Sequence, residues 1–159
     1  MKSGFVSIVG RPNVGKSTLL NTIMERKIAI TSNKAQTTRN NIMAVYHDED
    51  SQIVFFDTPG IHKPKHNLGK ALNSKAYYSI EDSDVIVLVV DIKEKLGTGD
   101  KFVIDKLKGV SKPVILLLNK IDTVSKDIIM RKISEYKDLY DFKEIIPISV
   151  INKKDVDIL

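Results

Sequence analysis

Gly10-Arg11-Pro12-Asn13-Val14-Gly15-Lys16-Ser17 is the stretch from which the fold can be read. It runs glycine, four residues, Gly-Lys-Ser, with Thr18 next. Before it, Phe5–Val9 is apolar and β-branched, as a buried strand should be. After it, Leu19, Leu20, Ile23 and Met24 fall at helical spacing, which predicts a helix over Ser17–Met24. Strand, glycine loop and helix in that order form a phosphate cradle. Gly10 and Gly15 allow backbone angles and a close approach that a Cβ would obstruct. The loop N–H groups then point inward at phosphate oxygens, aided by the positive end of the helix. Gly10, Arg11, Pro12, Asn13, Val14, Gly15, Lys16, Ser17 and Thr18 are therefore expected to contact a nucleotide. Lys16 reaches the β- and γ-phosphates, and the Ser17 hydroxyl sits on Mg²⁺. The plainer alternative is an ordinary glycine turn before a helix, and the two flanks weigh against it.

The 159 residues suffice for one domain with a real core. A composition of 42% hydrophobic and 28% charged residues is that of a soluble globular protein. Cysteine is absent, which excludes disulfides and thiolate metal sites and fits a reducing cytosol. The longest apolar runs, Val85–Val90 and Val114–Leu118, are strand length and too short to span a bilayer. The first strand begins almost at once, so no signal peptide is expected. Net charge is +5 with a pI near 9.3. No lysine run exceeds two residues, so this reads as a solvated surface plus a polyphosphate ligand rather than a nucleic-acid stripe.

Glu25–Asn41 is a long polar connection containing Gln36-Thr37-Thr38-Arg39, and long ordered connections are usually functional. Ile42–Tyr46 and Ile53–Phe56 read as strands joined by a turn at His47–Ser51, the antiparallel pair of the sheet. A loop over Ile61–Gly69 and a helix over Lys70–Ile80 follow. Strands at Val85–Val90, Val114–Leu118 and Glu144–Ile148 then alternate with helices at Asp100–Leu107, capped by Thr98, and Lys126–Tyr136. In the second of these, Ile129, Ile133 and Tyr136 share a face. The fold class is α/β, a six-stranded, mostly parallel sheet with helices on both faces and one antiparallel strand. Asp155–Leu159 reads as the opening of a last helix, so the chain is expected to be a fragment with apolar surface left beside its sixth strand.

Ligands of such sheets sit at the carboxyl ends of the strands, and two more motifs fall there. Asp57-Thr58-Pro59-Gly60 ends a strand. Asp57 would hold Mg²⁺ through water, while the Gly60 N–H faces the γ-phosphate and lets the following loop act as a switch. A simple strand-ending turn uses the same residue types. Asn119-Lys120-Ile121-Asp122 is a base selector. A carboxylate in the base plane accepts two N–H donors, which guanine presents and adenine does not, so Asp122 favours GTP and GDP. Asn119 braces the phosphate loop and touches the base, and the Lys120 stem covers the ring.

These motifs, with Ile61-His62 after Gly60, resemble those of the Era-like GTPases, and the similarity runs over almost the whole chain. The resemblance implies a P-loop GTPase domain and a Mg²⁺-dependent GTP switch. Thr38 would be the Mg²⁺ ligand of the GTP state, and Lys16, Thr38 and Gly60 the residues at the chemistry. It also implies Thr58, Pro59 and Ile61 beside the phosphates, and Ser149 and Val150 beside the guanine oxygen. In that family the domain precedes an RNA-binding KH domain that engages small-subunit 16S rRNA, so contact with the small ribosomal subunit is expected of the parent protein rather than of these residues. A monomer is expected, cytoplasmic, with peripheral association at the inner face of the membrane. Asn13 resembles a loop asparagine that holds K⁺ beside the phosphates; capping of the loop backbone is the alternative.

Two residues depart from pattern. The fifth family motif is usually Ser-Ala, and here Val150 follows Ser149. Ile61 stands where Ras-like proteins carry the glutamine that orients water, a replacement typical of the Era-like group. Isoleucine cannot hold water, so unassisted turnover is expected on the order of 10⁻⁴ to 10⁻³ s⁻¹, as in unassisted Ras. Another GTPase with a different partner, an ATP-using P-loop enzyme and a non-hydrolysing nucleotide scaffold stay open as rivals.

Overall fold

The computed structural model describes residues 2–26, 42–56 and 76–159. Its strands are β1 (Lys2–Val9), β2 (Ile42–His47), β3 (Ser51–Phe56), β4 (Val85–Asp91), β5 (Val114–Asn119) and β6 (Glu144–Ile148). Its helices are α1 (Lys16–Arg26), α2 (helical residues 76–82), α3 (Thr98–Leu107), α4 (Lys126–Lys137) and α5 (Lys153–Val156), with a 3₁₀ turn at Ile121–Thr123. The six strands form one sheet in the order β2-β3-β1-β4-β5-β6. Only β2 and β3 run antiparallel; the other neighbours are parallel.

The central strands read as unbroken apolar runs because they are covered twice. Ile86, Leu88 and Val90 of β4, with Leu116 and Leu118 of β5, face a core closed by Ala76, Ile80, Val103, Leu107 and Tyr136 of α2, α3 and α4. Val87, Val89 and Leu117 face the opposite core, closed by Leu19 and Leu20 of α1 and Val156 of α5. Leu116, Leu117 and Leu118 are each 0% exposed, a burial that stabilises by about 1.5–3 kcal/mol per side chain. Ile129 and Ile133 pack beside Tyr136, as their spacing requires. On the α1 face an apolar groove of about 820 Å³ lies open, lined by Val6, Ile8, Ile23, Tyr46, Ile53 and Val156 among others. Its lining comes from β1 to β5, α1 and α5, with no residue of β6, so the open apolar surface does not lie beside the sixth strand as expected.

Several boundaries differ from expectation for local reasons. The hairpin turn is shorter than His47–Ser51, since His47 pairs with Gln52 and Ser51 opens β3. Asp48 closes it: Oδ1 accepts from the N–H of Asp50 (3.0 Å), the N–H of Ser51 (2.7 Å) and the Ser51 hydroxyl (2.8 Å). These bonds, led by the Ser51 hydroxyl, hold its carboxyl down at about 2. Thr98 does not cap α3. It lies inside the helix, Gly97 is the N-cap, and Asp100 in the first turn accepts from the Gly97 N–H at 2.9 Å. A carboxylate three positions in reaches back to a cap that has no side chain of its own. The last helix begins at Lys153, not Asp155, because Asn152 accepts from the Lys154 N–H at 3.1 Å.

Parallel register fixes the site. Val9 pairs with Leu88 of β4, while Asp91 pairs with Asn119 and Asn119 with Ile148. The chain therefore leaves β1, β4, β5 and β6 on one rim.

Candidate functional site

On that rim the loop after β1 turns at Gly10 and Gly15, whose φ angles are 152° and 111°. A Cβ at Gly10 would collide with the Val89 carbonyl oxygen, and one at Gly15 with Asn119 Nδ2. Glycine is required at both by position and by space. Asn13 also has positive φ, 64°, tolerable for asparagine. Its side chain is exposed and takes no hydrogen-bond partner among the described residues, so it does not cap the loop. Val14 is buried and packs into the α1-face core, anchoring the loop between its exposed residues Pro12 and Asn13 and the helix.

Lys16 opens α1, one residue earlier than predicted, and its ammonium turns back into the loop. Nζ donates to the carbonyls of Gly10 (3.0 Å) and Arg11 (2.7 Å). Burial pushes it down to about 8, which keeps it largely cationic at neutral pH. Ser17 and Thr18 are exposed at the start of α1, where free helical N–H groups gather. The Arg11 side chain points away from Lys16. Its Nη1 pairs with Glu94 at 2.7 Å and with the buried Asp100 at 3.5 Å, tying the loop to α3.

The second cluster stands at the ends of β5 and β6. Asn119, 1% exposed, donates from Nδ2 to the Val14 carbonyl at 2.8 Å. Its Oδ1 accepts from the N–H groups of Lys120 (2.7 Å) and Val150 (3.0 Å). The expected bracing of the phosphate loop is thus a buried three-bond hub. Lys120 is left-handed, φ 71°, and its Nζ spans from Asp91 Oδ2 (2.6 Å) to the Asn13 carbonyl (3.3 Å). This stretches the aliphatic stem between the two loops. Asp122 is exposed, and its Oδ1 accepts from the Ser149 hydroxyl at 2.9 Å. The remaining carboxylate lone pairs face outward, free for a planar pair of N–H donors. Val150 is less available than the family motif implies. Its N–H is committed to Asn119 and its carbonyl accepts from Thr22 Oγ1 at 2.7 Å.

Tertiary structure thus brings Gly10–Thr18, Asn119, Lys120, Asp122 and Ser149 together on one rim. Thr38, Asp57, Thr58, Pro59, Gly60 and Ile61 lie outside the described residues. Three contributors escaped sequence reasoning. Asp91 carried a usable signal, a carboxylate closing an apolar strand at the ligand rim; Thr22, and Asp155, whose Oδ2 accepts from the Ser149 N–H at 2.9 Å, carried none. Among the described residues no cluster of three or more metal-binding side chains exists, and no helix is long and apolar enough to cross a membrane.

A glycine cradle with an inward lysine, sharing one rim with an exposed carboxylate held by the Ser149 hydroxyl, is the arrangement of the P-loop GTPase class. Residues 5–120 match the family of 50S ribosome-binding GTPases, and the chain belongs to it. Within that class the chain is similar to Era. The structure of Era in complex with MgGDPNP and nucleotides of 16S ribosomal RNA is 40% identical with a TM-score of 0.78, over 95% of this chain and 52% of that one. Aquifex aeolicus Era bound to GDP and AlF4⁻ gives 40%, 0.77, 95% and 52%. The chain therefore spans about half the length of these relatives. The FeoB G-domain of Methanococcus jannaschii, 21% identical with a TM-score of 0.64 over 99% of this chain and 92% of that one, shares the fold.

Proposed function

We propose that this domain binds GTP and GDP with Mg²⁺, hydrolyses GTP slowly, and serves as the switch of a protein acting in small-subunit ribosome assembly. One observation carries the reading: Asn119 joins the phosphate loop to the base-reading loop, so cradle and selector form a single surface. The loop amides and Lys16 bind the polyphosphate, and Asp122 accepts from guanine N1–H and the exocyclic amine. The Ser17 hydroxyl is exposed at the helix start without a partner among the described residues, which fits a Mg²⁺ ligand. Ser17, with Thr38 and Asp57 as the other expected ligands, would hold Mg²⁺, which would supply positive charge to offset that of the phosphates. Rate enhancement comes from positioning and from positive charge at the transferring phosphoryl group, Lys16 foremost. With Ile61 in place of a water-orienting glutamine, unassisted turnover is slow. The exposed Asn13 is the residue to which K⁺ dependence would be traced, by comparing rates in KCl and NaCl.

The 40% identity to Era crystallised with 16S rRNA favours a small-subunit partner for the whole protein, although the family description names the 50S particle. A titration of GTP, GDP, ATP and XTP with Mg²⁺ tests the core of the reading. Guanine nucleotides should bind at least a hundredfold more tightly than ATP, since a mismatched base leaves the selector unpaired. Equal affinity for ATP overturns it. Single-turnover phosphate release then separates a GTPase from a non-hydrolysing scaffold.

A further inference from the structure

We propose that Asp155 is a positioning residue for base selection, acting through Ser149 on Asp122. The inference rests on the guanine reading above and extends it to a residue outside every motif. Ser149 is 3% exposed, and all three of its polar groups are engaged. Its N–H donates to Asp155 Oδ2 at 2.9 Å, its hydroxyl donates to Asp122 Oδ1 at 2.9 Å, and its carbonyl accepts from the Asn152 N–H at 2.8 Å.

Among the described residues, the Ser149 hydroxyl is the group that orients the exposed Asp122 carboxylate. The direction of that hydroxyl depends on where the Ser149 backbone sits, and Asp155 holds the buried N–H that sets it. Removing the Asp155 carboxylate strands a buried donor, which the loop relieves by shifting toward water. Asp122 then loses its fixed angle to the base. The neighbouring peptide does not compensate, because Val150 is pinned independently by Asn119 and Thr22. Asp155 reaches Ser149 from the first turn of α5, so this end of the chain contributes to specificity as well as to packing.

Inosine diphosphate lacks the 2-amino group, so the ratio of GDP to IDP affinity reports how well Asp122 is aimed. In fluorescence titrations of the full chain, Asp155→Ala should weaken GDP binding about tenfold, the effect of roughly one orienting hydrogen bond. IDP binding should fall less than about threefold, since one of the two donors is already missing. Asp155→Asn keeps an acceptor oxygen and should restore both affinities to within about twofold of the natural protein. An unchanged GDP to IDP ratio in Asp155→Ala, or equal weakening of both ligands, overturns the proposal. Should that variant fail to fold, Asp155→Glu, which keeps the charge but displaces the acceptor, must show the same selective loss or the proposal fails. Absence of GDP binding by the natural protein would instead sink the guanine reading itself.

Discussion

Replacing Asn119 with alanine tests whether the two rim loops hold each other without any ligand. The side chain makes three bonds, to the Val14 carbonyl and from the Lys120 and Val150 N–H groups. Lys120 is half-buried at the rim, where water replaces its lost partner. Val14 and Val150 are only 2% and 3% exposed. A buried group left unpaired costs about 1–3 kcal/mol, so the two together cost about 2–6 kcal/mol. Water entering the vacated space recovers part of that, and we expect about 2–4 kcal/mol. Against a total stability of about 5–15 kcal/mol this is a large fraction. Equilibrium urea unfolding of the nucleotide-free domain should show it as a lower midpoint at unchanged slope. Asp122→Ala is the control: an exposed change, it should stay within about 0.5 kcal/mol while abolishing guanine preference. A loss below about 1 kcal/mol for Asn119→Ala, or equal losses in the two variants, would refute the reasoning.

Gly15→Ala forces a Cβ into Asn119 at φ 111°, and thermal melts should show a loss of about 1–3 kcal/mol together with loss of GDP binding. Gly109→Ala, whose nearest neighbour would be the Lys106 carbonyl oxygen at 3.8 Å, should be nearly silent. Lys16 gives a pH signature. Its folded value, about 8, lies below its ordinary 10.5, so between those limits the unfolded chain holds more protons and this group's contribution to stability rises with pH. Phosphate beside the ammonium favours the charged form, so GDP binding at pH 8.5 should take up a fraction of a proton, and at pH 6.5 almost none. Calorimetry in buffers of differing ionisation enthalpy measures this, and a buffer-independent enthalpy at pH 8.5 would contradict it. Tyr136 is fully buried, and its hydroxyl has no partner among the described residues. Tyr136→Phe should therefore be neutral or stabilising by up to about 1 kcal/mol in the same urea assay, whereas a clear loss would mean the hydroxyl is satisfied.

Much of this protein is written locally. The run Gly10–Ser17 between an apolar strand and an amphipathic helix specifies a phosphate cradle, because glycine geometry and helix polarity are properties of adjacent residues. Val85–Val90 and Val114–Leu118 announce strands covered on both faces, and Glu144–Ile148 matched the observed strand at both ends. Element ends were read less well where a side chain decides them. Asp100 reaching back to Gly97 moved the start of α3 from Asp100 to Thr98, and Asn152 capping α5 moved that start from Asp155 to Lys153.

Contacts across the rim were legible only in part: that Asn119 braces the phosphate loop was expected from its motif, but the partners themselves were not. Asn119 reaches Val14 over 105 positions, Lys120 reaches Asp91 over 29, and Ser149 reaches Asp122 over 27. No periodicity or spacing encodes such pairs, since they meet only after parallel register has brought the ends of β1, β4, β5 and β6 to one edge. Residue order alone therefore determined the expectation that this rim cradles a phosphate and reads a base. Tertiary structure decided which side chains hold those two loops at a common distance, because hydrogen bonds act over about 3 Å in space whatever the separation along the chain.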